Sequence, residues 1–156
     1  MKLDDIAVDL DREEQGDWVE IPDLPGVTLK VRSLYNKDYQ HAQQAAARKI
    51  ARRYGNRLVP PDVQTKAYAR LLADHVLLDW DGITDESGNG VEYAPEYGRD
   101  VLADPKYRRL ADAVTWAANV VGDQDVEDLE DEGKNSATPS AGVSKKASAQ
   151  GNSEKS

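Results

Sequence analysis

Apolar residues crowd the first 122 positions of this 156-residue chain and thin out sharply after Gly122. Beyond that glycine only Val126, Leu129, Val143 and a few alanines remain, too few to offset the entropy of ordering a backbone. Within the apolar part the spacing changes character along the chain. Trp18–Ile21 and 27–32 predict two strands; Val27, Leu29 and Val31 alternate with Thr28, Lys30 and Arg32, which gives one face to each set. Pro22-Asp23-Leu24-Pro25-Gly26 between them predicts a turn, with proline fixing φ and glycine free to take a positive value.

From there the spacing is helical. Asn36 is placed to cap a helix that runs to Tyr54 and ends at Gly55-Asn56. Pro60-Pro61-Asp62 restarts the chain, and a helix over 63–78 presents Tyr68, Leu71, Leu72, Val76 and Leu78. Trp80 then sits between Asp79 and Asp81, and Gly82 reads as the stop, since glycine accepts the left-handed backbone of a helix cap. A polar, hairpin-like loop over 84–93 follows. Pro95 opens a short helix to Leu102. Asp104 and Pro105 then start the last one, because proline at the first helical position sacrifices no hydrogen bond. Tyr107, Leu110, Ala111, Val114, Ala118 and Val121 follow at three- and four-residue steps.

The expected fold class is α+β: an N-terminal β-hairpin packed on three to four helices. The expected organisation is a poorly ordered segment over 1–15, in which Leu3, Ile6, Val8 and Leu10 are possible anchors, a compact domain over 16–122, and a disordered tail over 123–156. That tail is acidic at first, with seven acids and no base over 123–132, and then rich in Ser, Ala and Lys.

Composition narrows the functions. With 39% hydrophobic residues, no Phe and three Trp, the core has to be aliphatic with Tyr and Trp inserted. Cysteine is absent, which excludes disulfides, thiol nucleophiles and cysteine metal sites. The acidic start has no signal-peptide core, and no stretch has the length of a bilayer span, so a soluble cytosolic protein is expected. A net charge of −9 disfavours general nucleic-acid binding.

The candidate chemistry is thin. Asp85, Ser87, Asn89, Gly90 and Glu96 match the one, three, five, six and twelve positions of an EF-hand loop, with helical flanks expected. Against calcium stand Glu92 at the eighth position, Pro95 at the eleventh, and the lack of a second loop. Arg48, Lys49, Arg52, Arg53 and Arg57 form a basic patch. It reads first as a solvated helix end whose cations suit the helix dipole, with nucleic acid, the chain's own acidic segment or an acidic partner as alternatives. His41 and His75 stand alone, and no serine lies in a nucleophile elbow, so no enzyme, cofactor or metal is expected. On the last helix Trp116 falls opposite the main stripe beside Ala113 and Val120. These three are the candidate partner-binding residues, for a client or for self-association.

Three segments carry a likeness when taken in order: 16–22 (Gly-Asp-Trp-Val-Glu-Ile-Pro), 77–83 (Leu-Leu-Asp-Trp-Asp-Gly-Ile) and 102–105 (Leu-Ala-Asp-Pro). In this pattern the chain resembles the tail assembly chaperones of long-tailed, siphovirus-type bacteriophages. The likeness spans roughly residues 16–122 and rests on short motifs; the 90 region and the Ser/Ala/Lys ending depart from it. It implies a non-enzymatic factor that binds the helical tape measure protein, keeps it soluble, and brings tail tube protein to it. Such a factor works in the host cytoplasm and is absent from the mature virion. In many relatives a frameshift appends a further domain, and Gly133-Lys134 is the dipeptide that a slippery GGA-AAA encodes. The competing expectations are a single EF-hand-like calcium-binding module and a small phage structural or head-completion protein.

Overall fold

In the computed structural model, which describes residues 1–123, the alternating stretch becomes the middle strand of a three-stranded antiparallel sheet. The strands are β1 (Asp17–Glu20), β2 (Thr28–Val31) and β3 (Leu77–Asp81), in the order β1-β2-β3. Leu29 and Val31 are fully buried on the inner face, and Val19 packs beside them. Trp18, on the opposite face of β1, is 45% exposed. The helices are α1 (Leu10–Gln15), α2 (Lys37–Tyr54), α3 (Pro61–His75), α4 (Pro95–Ala103) and α5 (Arg108–Val121). The fold is therefore α+β, as the spacing predicts. α5 packs on β1 and β2, and α3 packs on α2, α4 and β3.

Several local signals act as expected. The Asn36 side chain accepts from the Tyr39 amide at 2.8 Å and caps α2. Asp104 accepts from the Lys106 amide at 3.0 Å and caps a 3-10 turn, Pro105–Tyr107, that leads into α5.

Two expectations need correction. The helix expected over 63–78 ends at His75, and the residues around Trp80 are strand. β2 and β3 pair with a register shift between Lys30 and Val31, so Leu78 is the extra residue of a bulge. The bulge turns Leu77 and Trp80, three apart, to the same buried side, and that three-residue step reads as helical in the sequence. Gly82 consequently ends a strand. Its φ is +87°, and a Cβ there would lie 2.0 Å from the Gly26 carbonyl oxygen, so glycine is required by close approach to the β1–β2 turn.

The second correction concerns the start of the chain. Low order was expected over 1–15, yet α1 is tied to the body by its acids. Glu13 is buried, accepting from the Ser33 hydroxyl at 2.9 Å, and its carbonyl accepts from the Ser33 amide at 3.1 Å. The Glu14 carboxylate meets Arg32 at 3.2 Å and the Lys37 amide at 3.0 Å. The expected anchors Leu3, Ile6, Val8 and Leu10 are all exposed. The anchoring expected of these apolar residues is done by carboxylates instead. Among the described residues no helix is long and apolar enough to cross a membrane. The tail expected over 123–156, with its acidic run and Gly133-Lys134, lies outside the described residues from its second residue on.

Candidate functional site

α5 carries the residues singled out for partner binding, and its burial is broader than two stripes. Ala113 and Val120 are buried, together with Val114, Ala117, Ala118 and Val121. At about 100° per residue, Ala117 falls between the two expected stripes and joins them into one arc of roughly 160°. Ala113 and Val120 therefore belong to the core and form no exposed surface. Trp116 stands at the edge of the arc and is 37% exposed. Arg109, seven residues earlier on the same flank, donates to the Asp23 carbonyl of the β1–β2 turn at 2.8 Å. Trp116 thus shares a flank of α5 with the residue that reaches the β1–β2 turn. On the other flank the Tyr68 and Thr115 hydroxyls share a hydrogen bond of 2.8 Å, with Tyr68 36% exposed.

Trp80 has a different role. It is buried, its indole N–H donates to the Val91 carbonyl at 2.6 Å, and its ring meets Tyr93 edge-on at 4.9 Å and Tyr97 at 6.0 Å. The Tyr93 hydroxyl donates to the Ala73 carbonyl at 2.7 Å. Burial, then the Asp74 carboxylate, pushes the Tyr93 hydroxyl well above the usual phenol range. Arg99 bonds Asp74 at 2.8 Å, and that hydrogen bond holds its guanidinium even more firmly protonated. This cluster pins the 84–93 loop and α4 onto α3. None of it was legible from spacing, because its partners are distant in sequence.

The loop that matches an EF-hand is a closed hairpin. Thr84 pairs with Gly90, and the Asp85 carboxylate accepts from the Ser87 and Asn89 amides at 2.9 and 3.0 Å. The element before it is β3, so the entering helix of an EF-hand is replaced by a strand. Glu96 lies in the first turn of α4.

The basic patch occupies the far end of α2. The Arg57 guanidinium donates to the Arg53 and Tyr54 carbonyls and caps the helix end, and Arg53 and Arg57 both lie over the Tyr54 ring at 5.6 Å. Arg48, Lys49 and Arg52 form no ion pair with another described residue. A cleft of about 410 Å³ between α3 and α4 mixes Lys66, Arg70 and Arg99 with Asp100 and Asp104. His41 is exposed, and the His75 carbonyl, not its imidazole, accepts from the Asn36 amide group at 3.0 Å.

Residues 34–135, 102 of the 156, match the family described as YdaY prophage protein. The chain belongs to the YdaY prophage protein family. It is accordingly a protein of phage origin. The YdaY match takes in α2 through α5 and leaves α1, β1 and β2 outside it. No curated protein and no solved structure matches the chain.

Proposed function

We propose that this YdaY-family protein is a non-enzymatic tail assembly chaperone, which binds the helical tape measure protein in the host cytoplasm and helps recruit tail tube protein. The observation that carries the reading is Trp116, 37% exposed at the edge of the buried arc of α5. An aromatic anchor at the rim of a rigid core is the kind of group that a helix-in-groove contact uses. Trp18 on β1 adds a second exposed indole. Support also comes from the phage origin and from the likeness to tail assembly chaperones carried by the segments at 16–22, 77–83 and 102–105.

The test is composition. Mass spectrometry of complexes isolated from induced lysates should recover this chain with tape measure protein, and purified particles should lack it. Its presence at fixed stoichiometry in particles would instead assign it to the structural or head-completion class.

A further inference from the structure

Two surfaces of opposite character are left uncovered on the described residues. The first is residues 3–11, which hold four acids, Asp4, Asp5, Asp9 and Asp11, and no base. Its apolar side chains face solvent, with Leu3 81%, Ile6 56% and Leu10 69% exposed. The second is the far end of the α2–α3 hairpin. Residues 39–61 hold five bases and no acid in a chain of net charge −9. Only Tyr39 is fully buried on α2; Ala42, Ala46, Ile50 and Tyr54 are half-buried along one side. At about 100° per residue, His41, Gln44, Ala45, Arg48 and Arg52 line the opposite, exposed side. Leu58, in the link to α3, is 95% exposed.

Within one copy these surfaces are kept apart. Glu14 accepts from the Lys37 amide, so α1 lies at the near end of α2, while Arg48–Arg53 lie about 20 Å along the helix at 1.5 Å per residue. Each surface offers what the other lacks: carboxylates with aliphatic anchors against guanidinium groups with small alanines and a bare leucine. Opposite potentials steer encounter and fix register, and the apolar area removed from water supplies the attraction.

We infer that this protein self-associates head to tail, with residues 3–11 of one copy docking on the basic outer face and Leu58 tip of the α2–α3 hairpin of a second copy. Such an interface is heterologous, so it propagates into an open string or closes into a ring. It leaves Trp116 available and does not depend on the chaperone reading.

Sedimentation velocity of the full chain over a wide range of concentration tests it. The expected result is concentration-dependent growth in dilute salt that is suppressed in molar salt, where the Debye length falls to about 3 Å. Arg48→Glu with Arg52→Glu, and separately Asp4→Lys with Asp5→Lys, should each weaken association by about tenfold or more. These positions are exposed, and unchanged melting curves check that both variants fold. Mixing the two variants should restore association, because each retains one native surface and the reversed pair is again complementary. A wild-type chain that stays monomeric throughout would overturn the inference. So would association indifferent to both reversals, failure of the mixture to associate, or a compaction independent of concentration, which would place residues 3–11 on the hairpin of their own copy.

Discussion

Tyr93 joins three parts of the molecule: its ring stands edge-on to Trp80, its hydroxyl reaches the Ala73 carbonyl in α3, and Gly98 in α4 leaves room for it. Tyr93→Phe should cost about 1 kcal/mol by chemical denaturation, the net worth of one hydrogen bond. The raised hydroxyl pKa has a definite sign. Stability contributed by the neutral phenol is complete below about pH 10, the unfolded value, and is lost as pH climbs from there through the higher folded value. The alkaline fall in melting temperature should therefore be shallower in Tyr93→Phe than in the wild type. A Cβ at Gly98 would lie 2.6 Å from the Tyr93 ring, so Gly98→Ala should cost about 1–3 kcal/mol through overpacking. Ser33→Ala removes the hydroxyl donor to buried Glu13 and should cost about 1–3 kcal/mol, with α1 released first in hydrogen exchange. At the hairpin loop, Asp85 spends its carboxylate on two backbone amides. Calcium should leave the melting temperature unchanged; a rise abolished by Glu96→Gln would contradict that.

Elements whose signals are local were legible in the sequence. The β2 alternation, the Asn36 cap, the Gly55 stop and the Asp104-Pro105 start each depend on neighbours within a few residues; each falls where expected, except that Pro105 opens a 3-10 turn and α5 itself begins at Arg108. β3 was not legible, because the bulge at Leu78 gives a strand the three-residue apolar step of a helix, and only pairing with β2 resolves the ambiguity. α1 was missed because Glu13 is held by Ser33, twenty residues away, and acids so placed look like solubilising surface. On α5 the gap between two stripes is filled by Ala117, whose small side chain gives little periodic signal while its burial is complete. Of the three candidate contact residues only Trp116 keeps an exposed face. Two variants separate its role from packing. Val114→Ala, in a fully buried site, should cost about 2 kcal/mol and leave client binding intact in the folded fraction. Trp116→Gln should impair client binding far beyond its effect on the melting temperature. Equal losses of binding in both variants would reduce Trp116 to a packing residue.

At the scale of the molecule, the sheet is backed by α5 and α3, and the far end of α2 carries a concentrated positive charge. The remaining described surface carries net negative charge, which favours solubility. Membership of a prophage protein family sets the biological setting, and the client is the claim on which the functional account stands. Co-expression of this chain with the tape measure protein of the same prophage tests that claim most directly, read as the soluble fraction of the tape measure protein and its co-elution with the chain. The tape measure protein should be insoluble alone, soluble and co-eluting with the wild-type chain, and largely insoluble again with Trp116→Gln. A tape measure protein whose solubility is the same with and without the chain, and with which the chain never co-elutes, would contradict it.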